Sequence, residues 1–123
     1  MIKIIACGKL KEKWMKEGIA EYIKRIRPYD KIEIIEVPDE KAPETNSAAE
    51  NEQVKIVEGQ RLLKNVRDDE YLILLDLAGQ DIDSVALANK IQECYNHARS
   101  KITFVIGGSL GLSSELIARA DFR

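Results

Sequence analysis

A parallel-sheet α/β fold is what this sequence predicts, and two observations carry the prediction. Short apolar runs rich in β-branched residues alternate with segments of helical period, in the order β-α-β-α-β-α-β-α. Glycine-bearing turns follow three of the four strand runs, at the carboxyl ends where open α/β sheets bind ligands.

Residues 2–7, rich in β-branched residues and apolar apart from Lys3, have the pattern of a strand covered on both faces, and Gly8 ends them. From Trp14 the period lengthens. Met15, Ile19, Tyr22, Ile23 and Ile26 form one stripe of an amphipathic helix, which Pro28 stops. Ile32 to Val37 is a second strand, closed by Pro38 and a charged loop over residues 38–46. Ser47 and Glu50 match a capping box and open a long helix running to about Val66, with Gly59 inside it marking a close packing contact. Tyr71 to Leu75 is a third strand. Asp81 to Ser84 offer caps for a third helix, with its stripe on Leu87, Ala88, Ile91, Cys94, Tyr95 and Ala98. Ile102 to Ile106 is the fourth strand, and Ser113 or Ser114 caps a last short helix through Ala120.

With 123 residues, one domain spanning 1–123 is expected. The composition, 45% hydrophobic and 33% charged, is that of an ordinary globular core. No apolar run approaches the roughly 18 residues of a membrane span, and the apolar N-terminus is too short for a signal peptide, so a cytoplasmic location is expected. Cys7 and Cys94 lack a CxxC spacing and read as free thiols. With two Cys and one His, no zinc site and no other metal is expected. The net charge of −2 conceals an asymmetry. Residues 1–31 hold nine Lys/Arg against four Asp/Glu, +5, and the rest holds ten against seventeen, −7. The basic third is either a phosphate-binding face or a solvated helix face.

Gly107-Gly108-Ser109-Leu110-Gly111 is the most informative loop. Three glycines in five positions allow a ligand to approach the backbone, and the loop leads into a helix N-terminus. A phosphate, a nucleoside or a carboxylate would fit, as would a plain strand-to-helix turn. The pattern is neither a Walker A motif nor GxGxxG. In Leu75-Asp76-Leu77-Ala78-Gly79, Asp76 either bonds a ribose hydroxyl or caps its own turn, and Leu75 suits an adenine face. His97, at a helix end, reads as a partner for that helix terminus. Asp39/Glu40 and Asp68/Asp69 read as solvated loop charge.

Four strings, CGKLKEKW (7–14), EYIKRIRPYDKIEIIEVPDEKAPE (21–44), EGQRLL (58–63) and FVIGGSLGL (104–112), closely resemble the RlmH-type SPOUT methyltransferases. The resemblance covers essentially the whole chain. It implies an α/β-knot fold with a trefoil knot, and S-adenosyl-L-methionine held bent in the knotted loops. It also implies a cytoplasmic homodimer with its sites at the subunit interface, acting on 23S rRNA in the ribosome at N3 of a pseudouridine. The family's cofactor contacts fall on a strand-end leucine and a glycine of the VIGG loop, here Leu75 and Gly107. Gly108, Gly111 and Gly79 join them by their place in the same loops. Lys9, Lys11 and Arg25, with Lys13 and Arg27, are the candidates for RNA phosphates.

Family members continue past Arg123 with a further strand, a long helix and a His-Tyr-basic tail. On that ground the chain as given is expected to be C-terminally incomplete, with the knot unclosed, weak donor binding and no transfer. The target nitrogen carries a proton and calls for a general base, and nothing in the chain identifies one, so the catalytic residue stays unknown. A non-catalytic nucleotide- or metabolite-binding module and an inactive truncated fragment are the alternatives.

Overall fold

The computed structural model describes residues 1–41 and 47–123. The second half of the charged loop, with Pro43 and the last residues of the VPDEKAPE string, lies outside the described residues. Four strands alternate with four helices: β1 (Ile2–Cys7), α1 (Lys13–Ile26), β2 (Ile32–Val37), α2 (Ala48–Leu63), β3 (Tyr71–Leu74), α3 (Ser84–Asn96), β4 (Ile102–Ile106) and α4 (Ser114–Arg119). The strands form one all-parallel sheet in the order β2-β1-β4-β3. This is the α/β architecture predicted from the sequence.

Alternation along the strands sorts the core into two layers. Ile5, Val105, Leu72 and Leu74 turn to the face covered by α2 and α4 and pack with Leu62 and Leu116. Ile73 and Ile102 turn to the other face and pack with Cys94 of α3. Side chains cap three helices as the sequence suggests. Ser47 Oγ accepts the Glu50 N–H at 3.2 Å, Asp83 Oδ1 the Ala86 N–H at 2.7 Å, and Ser113 Oγ the Leu116 N–H at 3.2 Å. Both cysteines are free.

Three boundaries differ from the sequence reading. α2 ends at Leu63 because its last turn tightens to three-residue spacing, with Asn65 N–H on the Leu62 carbonyl and Val66 N–H on that of Leu63. β3 ends at Leu74, although the Leu75 N–H still reaches the Val105 carbonyl at 3.0 Å. Ala98 lies beyond α3 with φ +62, and the Arg99 N–H returns to the Cys94 carbonyl at 2.9 Å. That is a Schellman ending, with an alanine where glycine would carry no steric penalty.

α1 is amphipathic, yet none of its residues is buried, and Trp14 and Tyr22 stand 69% and 65% exposed. The outer edge of β3 is covered. Residues 121–123 run parallel to it, with the Leu74 N–H on the Phe122 carbonyl at 2.9 Å and the Leu72 N–H on Asp121 Oδ2 at 2.8 Å.

The amino ends of the strands meet at a buried carboxylate. Glu70 is 0% exposed. Its Oε1 pairs with Lys3 Nζ at 2.7 Å and its Oε2 accepts the Thr103 hydroxyl at 2.7 Å. Lys3 Nζ also donates to the Asn65 carbonyl, and the guanidinium of Arg119 holds the Glu70 carbonyl at 2.8 Å. Both carboxylate oxygens are thus occupied, which is what a charge in a dry site requires. Removing one partner leaves the other uncompensated. Lys3→Met should therefore lower the unfolding free energy by about 3–5 kcal/mol in urea titrations, and adding Glu70→Gln should recover most of that loss. Additive losses would refute the pairing.

Candidate functional site

All four strands deliver their carboxyl ends to one rim, and the two loops singled out in the sequence face each other there. A cavity of about 230 Å³ lies between them, walled by Leu75, Asp76 and Leu77 on one side and by Ile106, Leu112 and the Gly107–Gly111 loop on the other. A second cleft of about 400 Å³ opens on the far side of the β3 end and shares Leu75, Asp76 and Leu77. Leu75, Leu77 and Ile106 are exposed, giving the cavity an apolar lip.

The loop's shape comes from its own packing. Gly111 takes φ +100, and its N–H closes on the Gly108 carbonyl at 3.1 Å. A Cβ on Gly107 would stand 2.7 Å from Leu112 Cδ2 and 3.3 Å from the Gly111 carbonyl oxygen. A Cβ on Gly108 would stand 2.5 Å from Glu58 Oε1. Both glycines thus sit where a side chain would crowd a neighbour, Leu112 in one case and Glu58 in the other.

Asp76 caps its own turn. Oδ1 accepts the Ala78 N–H at 3.0 Å and Oδ2 pairs with Arg123 at 2.8 Å. These two contacts, the backbone hydrogen bond foremost, hold its carboxyl below the usual range. Gly79 is outside the cavity wall. A Cβ there would collide with the Arg123 backbone, whose carbonyl accepts the Gln80 N–H at 2.9 Å.

Lys9 and Lys11 lie in the loop after β1, on the same rim, where Glu36 Oε2 fixes the Leu10 N–H at 2.9 Å. Arg25 does not join them. It stands near the other end of α1, roughly 18 Å along the axis from Lys13, in a 3.1 Å pair with Glu21. Lys13 pairs loosely with Glu17 at 4.0 Å, and Arg27 is the C-cap of α1. His97 ends α3, its Nδ1 2.8 Å from the Glu93 carbonyl oxygen, in keeping with a helix-terminus role.

Sequence reasoning passed over Glu58. It lies on the buried stripe of α2, one turn from Val54 and one from Leu62, and its charge at that position was the available signal. Its Oε2 accepts the Glu40 N–H at 2.9 Å. Arg61, on the same helix, binds Glu40 Oε2 at 2.7 Å and the Pro38 carbonyl at 3.1 Å. Glu40, read as solvated loop charge, is thus part of an ion pair. Burial, reinforced by Glu58, pushes the Cys7 thiol up to about 12. Gly59 confirms the close contact expected of it, since a Cβ there would strike Ser113, the cap of α4. Among the described residues no group of three His, Cys, Asp or Glu could hold a metal ion, and no helix is long and apolar enough to cross a membrane.

A family model described as "Predicted SPOUT methyltransferase" matches residues 1–123. The protein named "Ribosomal RNA large subunit methyltransferase H" in Alkaliphilus oremlandii is 53% identical over 122 residues, covering 99% of this chain and 77% of that one. Its namesake in Carboxydothermus hydrogenoformans is 50% identical with the same coverage. That of Lactiplantibacillus plantarum is 52% identical over 120 residues, 98% of this chain and 76% of the relative.

If the loop's floor demands glycine, substitution there should be felt in stability before any ligand is added. Gly107→Val should lower the unfolding free energy by about 1–3 kcal/mol through overpacking against Leu112. Gly111→Ala should cost about 1–2 kcal/mol through its positive φ. Unchanged denaturation midpoints in both variants would contradict this account.

Proposed function

This chain belongs to the SPOUT methyltransferase family, and on that premise we propose that it methylates ribosomal RNA of the large subunit with S-adenosyl-L-methionine as donor. The target in this reading is N3 of a pseudouridine in 23S RNA. The observation that carries it is the rim cavity, which has Leu75 on one wall and Gly107, Gly108 and Gly111 on the other. The residues fit the donor's chemistry. An exposed apolar lip suits an adenine face, and a glycine-lined loop offers backbone hydrogen-bonding groups. Asp76 keeps its carboxylate on Ala78 and Arg123, so it shapes the rim.

The donor, when bound, supplies a methyl group already activated on a sulfonium. The chain's own work is then to hold the target nitrogen in line and to exclude water. The reading includes a cytoplasmic homodimer of single-domain chains acting on ribosomes. The exposed Trp14 and Tyr22 on α1 support a surface that a second copy would cover. Lys9, Lys11 and Arg25 would meet RNA phosphates, which position the RNA without reading its sequence.

Large subunits lacking the modification, incubated with the full-length protein and tritiated S-adenosylmethionine, should acquire label in 23S RNA. Gly107→Val should abolish both the labelling and the calorimetric signal of donor binding. Label appearing in that variant at the parent's rate would remove the loop from the site, and a parent protein that neither binds donor nor labels RNA would end the reading.

The basic residues have their own signature. The slope of log affinity against log salt should flatten by about one unit for each phosphate that is no longer neutralised. Lys9→Ala with Lys11→Ala should therefore lower it by about two, and Arg25→Ala by about one more. A slope that stays fixed would make these residues solvated charge.

A further inference from the structure

Two carboxylates are buried among the described residues, and their surroundings differ. Glu70 has both oxygens occupied. Glu58 is 4% exposed, with Oε2 on the Glu40 N–H, while Oε1 has no hydrogen-bond partner and no access to solvent. A buried acceptor left unpaired is costly, and a hydrophobic residue would fill the stripe between Val54 and Leu62 without that penalty.

What surrounds the carboxylate suggests what it does. Three strand ends converge on it. From β4 comes Gly108. A Cβ there would lie 2.5 Å from Oε1 and 3.0 Å from both Cδ and Oε2, so the whole carboxylate presses on that glycine from beneath. From β2 comes the Glu40 backbone, clamped a second time by Arg61. From β1 comes Cys7, whose thiol is pushed up first by burial and then by the neighbouring Glu58 carboxylate. The oxygen is sealed from solvent, so Glu58 cannot touch a ligand in the rim cavity. Any influence on that cavity must pass through Gly108.

We propose that Glu58 is a positioning residue for donor binding, its carboxylate setting the height of the Gly107–Gly111 loop over the strand ends and so the shape of the cavity beside Leu75. The proposal rests on the reading of that cavity as the donor site. It also gives residue 108 a different reason to be glycine: the side chain below needs the space, and the ligand above does not.

The test measures binding of S-adenosylhomocysteine by calorimetry, beside urea midpoints, for the full protein. Glu58→Gln keeps the volume and an acceptor for the Glu40 N–H, so its midpoint should stay near the parent's while affinity falls by about tenfold. Gly108→Ala should weaken binding at least as much. Adding Glu58→Asp to Gly108→Ala withdraws the carboxylate by one methylene and should restore most of that affinity, a non-additivity that general loosening of the fold would not produce. Alkylation of Cys7 at pH 9, followed in a Cys94→Ser background, should speed up in Glu58→Gln, because removing the neighbouring charge lowers the thiol's pKa from about 12. A parent that binds no S-adenosylhomocysteine overturns the donor reading and this proposal with it. A parent that binds, with Glu58→Gln unaffected or with Gly108→Ala equally damaging in both backgrounds, overturns this proposal alone.

Discussion

Glu70, fully enclosed between Lys3 of β1 and Thr103 of β4, is the contact on which the rest of this structure depends. Lys3 and Thr103 are register partners, so their shared carboxylate pins the two central strands at their amino ends. In a parallel sheet that also decides where the strands finish. Cys7 and Ile106 end almost level, and the loop beyond Ile106 faces the loop beyond β3 across a gap of ligand size. The two rims therefore have separate tasks. One is charged and built around a buried carboxylate with both oxygens paired. The other is open, lined by glycine and leucine, and has one sealed oxygen without a partner.

Most of the architecture was legible in the sequence because it follows from local rules. β-branched runs bounded by Gly or Pro gave the strands, and Ser47, Asp83 and Ser113 marked helix starts through side-chain oxygens that the structure finds on the expected N–H groups. That the loops at Leu75 and Gly107 share one rim was legible for a related reason, since both follow strands of one parallel sheet at their carboxyl ends. What the sequence hid is what depends on distant partners. Nothing near Lys3 announces Glu70, and nothing near Gly108 announces Glu58. In the sequence Gly79 reads with the ligand residues, and Asp76 reads as either a ribose contact or a turn cap; the Arg123 backbone packs against Gly79, and the Asp76 carboxylate caps its turn and pairs with Arg123.

The basic N-terminal third shows the same limit from another side. Summed along the chain it is one feature. Folded, it divides: Lys9 and Lys11 lie at the carboxyl rim of the sheet, in the loop after β1, while Arg25 is carried most of the length of α1 away and is paired with Glu21. Charge counts locate a basic segment, and only the direction of the helix says which part of it shares a face with the site.

The strand order has a consequence for how the chain is made. β1 occupies a central place, yet its partner β4 lies about 100 residues later, Ile2 against Ile102. Pairings so distant in sequence raise the entropic barrier to folding and slow it. During synthesis, β1 must wait roughly 5–20 s for β4 to be translated at ordinary elongation rates. For that interval it has only β2 beside it, and its apolar edge is bare. Newly made chains are thus most exposed to association before the fourth strand emerges, and pairing with β4 covers that edge of β1.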